Sequence, residues 1–488
     1  MAAALPDGGK AVSITTGVGV VGGGMAGAWV AHELARRGVP VVLMREDERL
    51  PPMSRVWSAG VMRQDLVGLS EGAGADPFTD TSTTLLPRQR ELVLDRARAE
   101  YARLCEITGY APILEGFVAP RGHLPYPEIG VGDRVVAAVL DRAAAHGAVV
   151  LDGHVTDLVV EDGTCRGVRL LRGGDQVDVA CAQLVLAPGG FCGMFADGVG
   201  DLTGHLLGAV VRHGGVLANL EFFNYLRLGD LDRRVPLYPS DLVGARLLRA
   251  GEPATELAGA LARHTAEKME IGTFRDYWIA NRHVPHTVEM ADRTAVLGPV
   301  KGFSMGGVDP VRTAAAVAGL HVTGEGRYGL SVDSTFGKPF PWFLATGAEL
   351  ADELAGTTAV TTGLEPAAVP PAEAASAAGD LRAELRTRTA EFQHHRFSAE
   401  RAEDFVAWCG AERARLGERD CTGADTLLLA EAYARSVLAR EESRGFFHRP
   451  DFPAANPDFE HRVTVATYDS SNDRISVSTA PVSERSLV

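Results

Sequence analysis

The sequence lacks several features that define other classes of protein. Its 488 residues carry a formal net charge of -15, which argues against nucleic-acid binding because a phosphate backbone needs a basic face. The six cysteines form no CxxC pair and no zinc-type cluster, so we expect free thiols and no metal site. There is no apolar run of the roughly 18 residues that a membrane span needs and no basic N-terminal region, which predicts a cytoplasmic protein.

Aromatic residues are also scarce, at 7%, but hydrophobic residues reach 46%. A chain of this length is too long for one compact core, so the sequence predicts two or three domains.

The stretch VVGGGMAGAWVAHELARRGVPVVLMRE, residues 20–46, has the order strand, glycine turn, helix, strand and acid. Gly22 allows a tight turn, Gly24 lets the backbone approach a pyrophosphate, and Gly27 lets the helix pack on the strand. Glu46 follows at the distance expected for a carboxylate that accepts hydrogen bonds from ribose. The pattern predicts a dinucleotide site that disfavours NADP, and it leaves FAD and NAD open.

Further along, the chain changes character more than once. A buried strand ends at Pro188-Gly189-Gly190, which predicts a second place where backbone meets the cofactor. Residues 224 to about 301 are rich in arginine and histidine and separate two cofactor-type blocks, so they indicate an inserted domain. Residues 381–416 and 424–443 have helical spacing, and the tail from 463 alternates weakly, which is typical of a short strand or a disordered end.

Six segments in a fixed order resemble the succinate dehydrogenase/fumarate reductase flavoprotein superfamily, which includes L-aspartate oxidase. The segments are GGGMAG at 22–27, PPMSRVWSAG at 51–60, TGHLLGAVVRHGGVLANLEFFNY at 203–225, MGGV at 305–308, GLHVTGEG at 319–326 and ESRGFFHRPDFP at 442–453. The matches extend from about residue 18 to 461, which is nearly the whole length of the chain.

This resemblance implies an α/β fold in which a Rossmann-like FAD-binding domain is interrupted by an α+β capping domain and followed by a C-terminal helical domain. The expected bounds are 12–223 for the first part of the FAD-binding domain, 224–304 for the capping (substrate) domain, 305–356 for the second part of the FAD-binding domain, 357–380 for a linker, 381–462 for the helical domain and 463–488 for a tail.

The resemblance also implies FAD as the cofactor and assigns residues to it. Gly22, Gly24, Gly27 and Glu46 are expected to bind its ADP half, and Gly189 lies in the second glycine turn. Ser54, Arg55 and Ser58 are expected near the phosphates or the isoalloxazine, Glu325 at the ribityl chain and Phe343 at the pyrimidine end. Arg55 occupies the position of the histidine that links FAD covalently in complex-bound members, so we expect non-covalent FAD.

The dicarboxylate clamp of the family is largely absent. Leu226 and Leu228 occupy the positions of its histidine and threonine, and Gly302 occupies that of a second histidine. Ala280 stands where the proton-delivering arginine follows an Arg-Asp pair, and the loop 328–342 contains no arginine. Because a carboxylate in a dry pocket needs paired donors, succinate, fumarate and aspartate are not expected to bind in the family manner.

The candidate catalytic residues are Arg282, His283 and Arg275. The candidate substrate-binding residues are Tyr225, Ser304, Arg293 and His448. The alternative interpretation is that the arginines are solvated, the histidines are satisfied, and His448 belongs to a structural contact between domains.

The sequence thus predicts an FAD-dependent oxidoreductase, a dehydrogenase or oxidase. It would oxidise a C–N or C–C bond of a small polar or anionic metabolite by hydride transfer to flavin N5. Oxygen or an external electron carrier would take the electrons, and an oligomer is possible. Two alternatives stay open: a reductase of an activated double bond, and a flavoprotein subunit that relays electrons to an iron–sulfur partner, as in adenylylsulfate reductase. The substrate, the direction and the acceptor are left undetermined.

Overall fold

A computed structural model describes residues 12–46, 96–97, 99–100, 102–104, 106–108, 131–237, 242, 244–259, 277–281, 283–328, 339–365, 374–393, 396–416, 420–445 and 447–482.

A seven-stranded sheet forms the centre of the nucleotide-binding part. Its strands are β1 (Val12–Val21), β2 (Val41–Arg45), β3 (Val149–Asp152), β4 (His154–Glu161), β5 (Thr164–Arg172), β6 (Asp175–Leu186) and β15 (Leu320–Val322). The order is β3-β2-β1-β6-β5-β4, with β15 also paired to β6. Strands β3, β2, β1, β6 and β15 run parallel, whereas β4, β5 and β6 form an antiparallel meander.

Helices cover this sheet because its parallel strands are apolar on both faces. They are α1 (Met25–Ala35), α2 (Val131–Ala145), α3 (His205–Arg212), α4 (Pro310–Ala316) and α5 (Pro339–Glu353). All residues of α1 are buried. It packs against α2 and α5, so the first βαβ unit lies inside the molecule rather than at its edge.

The inserted segment builds a second sheet with its own core. Its strands are β8 (Phe223–Asp230), β9 (Val235–Pro236), β10 (Arg246–Arg249), β11 (Glu252–Pro253), β12 (His286–Glu289) and β13 (Thr294–Ser304), in the order β11-β10-β12-β13-β8-β9. Leu228, Leu257, Trp278, Val288 and Leu297 form its apolar cluster. We call this unit the cap. The long strands β8 and β13 connect it to the nucleotide-binding part.

Three helices follow: α6 (Ala374–Glu391), α7 (Ala399–Leu416) and α8 (Cys421–Ala439). The helical pattern predicted for 381–416 is two helices in the structure, because the Ser398 hydroxyl accepts a hydrogen bond from the Arg401 amide at 3.2 Å and begins α7. Helix α6 begins within the expected linker, at Ala374.

The tail is more ordered than its weak alternation indicates. Strands β16 (Arg462–Asp469) and β17 (Arg474–Pro481) form a hairpin. Together with β7 (Leu217–Ala218) and β14 (Gly307–Val308) they make a four-stranded sheet, in which β16 pairs with β7. The predicted fold class is confirmed: a Rossmann-like α/β domain, interrupted by an α+β cap and followed by helices. Among the described residues there is no helix long and apolar enough to span a membrane.

Candidate flavin site and cap

The first glycine turn brings backbone atoms together more closely than a side chain would allow. Gly22 has a φ of 118°, and a Cβ there would lie 2.1 Å from the carbonyl oxygen of Ala187. A Cβ on Gly27 would lie 1.9 Å from the carbonyl oxygen of Gly22. Both distances are far below van der Waals contact, so these two glycines set the approach of α1 to the strands β1 and β6.

Helix α1 begins directly after this turn, with Gly24 as its N-cap. None of the described side chains caps it, and its first turn contains no acid. Its first N–H groups and the positive end of its dipole are therefore available to an anion. This is the arrangement that binds the pyrophosphate of a dinucleotide.

Glu46 follows the last residue of β2, beside the glycine turn. Its Oε1 lies 2.7 Å from Nδ1 of His154, and its side chain is 61% exposed. The hydrogen bond from His154 lowers the pKa of the Glu46 carboxyl. An ionised carboxylate with an accessible oxygen is suited to accept hydrogen bonds from ribose hydroxyls.

A second cluster lies where the ends of β6, β13 and β15 meet. Oε1 of Glu325 accepts hydrogen bonds from the Ser304 amide at 2.9 Å and from the Ser304 hydroxyl at 3.1 Å. A Cβ on Gly190 would lie 1.9 Å from this same oxygen, so a larger residue there would displace the Glu325 carboxyl. Burial raises the pKa of Glu325 to about 7, although the donors from Ser304 oppose the shift. Gly189, the neighbour of Gly190, has a φ of 71°.

Phe343 is buried in α5 and belongs to the same apolar cluster as Met305 and Phe222. Met305 follows Ser304 directly, and its amide donates to the carbonyl oxygen of Phe222 at 2.9 Å. The structure therefore places an apolar wall beside the Glu325–Ser304 pair.

The residues present fit FAD. An uncapped helix N-terminus and an ionised carboxylate suit the ADP half, and a largely buried carboxyl next to apolar side chains suits the flavin half. Ser54, Arg55 and Ser58 lie outside the described residues, so their roles stay predictions.

The structure describes only some of the cap residues that were singled out from the sequence. Arg293 binds Asp230 within the cap, with Nη2 2.9 Å from Oδ2. His283 lies in a turn, and Arg275 and Arg282 lie outside the described residues. Leu228 is buried in the cap core. The neighbouring His286 is also part of the cap interior, with Nε2 2.7 Å from the Tyr277 hydroxyl.

His448 lies in the segment after α8, where its Nδ1 is 3.4 Å from the Ser443 hydroxyl. In the same segment the Arg449 guanidinium donates to the carbonyl oxygens of Val437 at 2.7 Å and Leu438 at 3.1 Å. Arg449 thereby satisfies the end of α8.

The structure also shows a buried ion pair that the sequence analysis did not find. Nζ of Lys301 lies 2.5 Å from Oδ1 of Asp197 and 3.0 Å from Oε1 of Gln393. The rings of Phe195, Phe223 and Tyr225 surround it, with centroids 4.8, 5.6 and 5.0 Å away. Burial lowers the pKa of Lys301, and Asp197 opposes this shift. A lone lysine in the apolar run VLGPVKGFSM was the available signal.

A second buried network joins the helical part to the nucleotide-binding part. Arg440 is fully buried and pairs with Glu221 and with Glu442. The Thr464 hydroxyl donates to Oε2 of Glu221 at 2.8 Å. Glu221 and Glu442 both lie in segments that carried the family resemblance, but their pairing through Arg440 could not be read from the sequence.

Three family models match this chain. They are described as FAD dependent oxidoreductase (residues 18–126), FAD binding domain (116–267) and Fumarate reductase flavoprotein C-term (421–487). L-aspartate oxidase of Mycobacterium leprae is 23% identical over 96% of this chain and 98% of its own length.

Solved structures show the same fold. The Mycobacterium smegmatis Sdh1 complex in the apo form has a TM-score of 0.69 at 18% identity, over 98% of this chain and 95% of the other. The FrdA chain of a mutant E. coli quinol fumarate reductase has a TM-score of 0.64 at 15% identity, over 96% of both chains.

These matches support assignment to the superfamily of succinate dehydrogenase and fumarate reductase flavoproteins. The chain is an FAD-dependent oxidoreductase of the fumarate reductase/aspartate oxidase type.

Proposed function

We propose that this enzyme oxidises a C–N or C–C bond of a small polar or anionic metabolite, as a dehydrogenase or oxidase. When bound, FAD supplies the hydride acceptor at N5 and returns the electrons to oxygen or to an external carrier.

The pairing of Ser304 with Glu325 carries this proposal. Strand β13 runs from the cap to Ser304, and Ser304 is fully buried. A metabolite held beneath the cap would therefore lie close to the C-terminal end of β13 and to the Glu325 carboxyl. The Ser304 hydroxyl donates to Glu325, and it keeps lone pairs that can accept from a substrate N–H or O–H group.

We assign proton transfer and anion binding to the segment around residues 275–283. Arg275 and Arg282 are the candidate clamps for an anionic group, and His283 is the candidate base. Arg293 is a weaker candidate because Asp230 already holds its guanidinium. Tyr225 and His448 stay candidates for contacts with the non-reacting part of the substrate.

On this proposal, the substrate is not a dicarboxylate such as succinate, fumarate or aspartate. Leu228 is part of the cap core, and Gly302 has no side chain that could donate a hydrogen bond. A dicarboxylate would then keep an unpaired charge in the site, which is very costly. We therefore expect a substrate that carries no charged group at the end that the dicarboxylate enzymes clamp.

Anaerobic bleaching of the holoenzyme tests this proposal. We expect at least one amino acid, amine or related derivative from a panel to remove the absorbance of oxidised FAD, and air or an added acceptor to restore it. We expect succinate and L-aspartate to leave the absorbance unchanged. Rapid bleaching by either of these two would overturn the assignment of the substrate class, and a holoenzyme that no member bleaches would overturn the oxidation itself.

The same experiment separates the alternatives. A reductase of an activated double bond would be reoxidised by an enone or enoate after chemical reduction, and a metabolite would not bleach it. A subunit that relays electrons to an iron–sulfur partner would recolour slowly in air and would co-purify with a cysteine-rich protein. The neighbouring Sdh1 structure is that of a complex, which is why we retain this last possibility.

A further inference from the structure

The carboxylate of Glu46 is held by a histidine. Nδ1 of His154 lies 2.7 Å from Oε1 of Glu46, although the two residues are 108 positions apart. We infer that His154 is a positioning residue, which orients the Glu46 carboxylate toward the adenosine ribose of FAD. This inference rests on the assignment of FAD and not on the identity of the substrate.

The backbone fixes where His154 stands. The Gly153 amide donates to the carbonyl oxygen of Arg45 at 2.8 Å, and Nε of Arg45 lies 2.6 Å from Oδ1 of Asp152. His154 follows as the first residue of β4. The end of β2 is therefore fastened to residues 152–154 at three successive points, of which the contact between His154 and Glu46 is the last.

The arrangement leaves acceptor sites on the carboxylate for the ribose. An ionised carboxylate offers about four lone-pair positions, and His154 occupies one of those on Oε1. Oε2 and the second position on Oε1 stay available for two neighbouring hydroxyl groups. Because the Glu46 side chain is 61% exposed, it would otherwise sample several rotamers, and its ordering would weaken binding.

A second histidine lies behind the first. The rings of His154 and His205 are 5.1 Å apart, and Nε2 of His205 lies 3.0 Å from the carbonyl oxygen of Val155. Burial lowers the pKa of His205 to about 4, so this ring is neutral near pH 7. It buttresses His154 from α3 without adding a charge that would compete for Glu46.

Release of FAD from diluted holoenzyme, followed by its fluorescence, measures the effect. We expect His154→Ala to weaken FAD binding by about 5- to 10-fold, the cost of ordering one side chain. His154→Gln keeps an N–H donor and should restore most of the affinity. His213→Ala is the matched control, because His213 also lies beside a carboxylate of β4, with Nε2 3.7 Å from Oδ1 of Asp157, and should leave the affinity unchanged.

A double-mutant cycle separates positioning from a general effect on folding. If His154 acts through Glu46, His154→Ala should add less than about 2-fold in the Glu46→Ala background. Additive effects, or unchanged or tighter FAD binding in His154→Ala, would overturn the inference. Since affinity for FAD is measured without a substrate, the result does not depend on the outcome of the bleaching experiment.

Discussion

The nucleotide-binding part and the cap differ in which atoms form their contacts. In the nucleotide-binding part, glycines bring backbone to backbone: a Cβ on Gly22 or Gly27 would lie 2.1 or 1.9 Å from a carbonyl oxygen. In the cap, side chains pack on one another, as the apolar cluster around Trp278 and Val288 shows.

This difference explains why the chain has the glycine motifs expected at the cofactor but lacks most of the expected dicarboxylate clamp. A cofactor that is held through backbone N–H groups and close turns restricts its positions to glycine, because any side chain would displace the chain itself. A substrate that is held by side chains can be exchanged for another without changing the fold. Leu228 illustrates this, since it packs in the cap core at a position where the resemblance predicts a substrate-binding threonine.

The largest expected effect on stability is at Lys301, the residue of β13 whose ion pair with Asp197 is buried. Lys301→Met removes the cation that faces Asp197, whose side chain is 17% exposed. We expect a loss of about 3–5 kcal/mol in stability, because the largely buried Asp197 carboxylate loses its lysine partner. A shift of the urea midpoint measures this loss.

The matched control for Lys301 is the exposed pair on the cap surface. Arg246 and Glu289 lie 2.8 Å apart with side chains 68% and 39% exposed, so Arg246→Ala should cost about 0–1 kcal/mol. Equal midpoint shifts for the two variants would contradict the expectation that the buried pair of Lys301 contributes more to stability than an exposed pair.

The next effect concerns the glycine turn. Gly27→Ala places a methyl group 1.9 Å from the carbonyl oxygen of Gly22, so α1 must move and its N-terminus leaves the phosphate position. We expect FAD affinity to fall at least 100-fold, or about 2.7 kcal/mol. The ratio of flavin to protein absorbance in the purified enzyme measures it.

Gly38→Ala serves as the control for this turn. Gly38 has a φ of 79°, and no described atom lies within 4 Å of its Cβ position. This substitution should cost about 1–2 kcal/mol of stability through backbone strain, with FAD content unchanged. Loss of FAD in both variants would mean that the turn is sensitive to any destabilisation and not to close approach.

Local sequence patterns predict backbone elements but not the side-chain pairs between them. The glycine spacing at 22–27 and the acid at 46 predicted the order strand, helix and strand, and the structure contains β1, α1 and β2 in that order, although β1 begins as early as Val12. The pairs that define the site interior could not be predicted, because Lys301 meets Asp197 and Arg440 meets Glu221 across 104 and 219 positions. For the tail, a short strand or a disordered end was predicted, and its pairing with β7 could not be predicted for the same reason, since β7 lies far earlier in the chain.

The smallest expected effect is a pH dependence that arises at Glu325. Its pKa is about 7 in the folded protein and 4.5 as the ordinary value. Between these values the folded state binds more protons than the unfolded state, so stability falls as pH rises. Glu325→Gln lacks this dependence. The free energy of unfolding of Glu325→Gln minus that of the unchanged protein should therefore rise by about 2 kcal/mol from pH 5 to pH 8. Urea midpoints of both proteins at the two pH values measure this difference.

Ser304→Ala tests the contribution of the Ser304 hydroxyl to the same pH dependence. The Ser304 hydroxyl donates to Oε1 of Glu325 and thereby favours the ionised form. Without it the pKa of Glu325 should rise further, and the fall in stability toward pH 8 should become steeper. An equal slope in Ser304→Ala and the unchanged protein would show that the amide of Ser304 alone stabilises the charge. A backbone group would then stabilise this carboxylate, just as backbone contacts define the glycine turn. The contrast between the nucleotide-binding part and the cap would therefore hold up to Ser304, the last residue of β13.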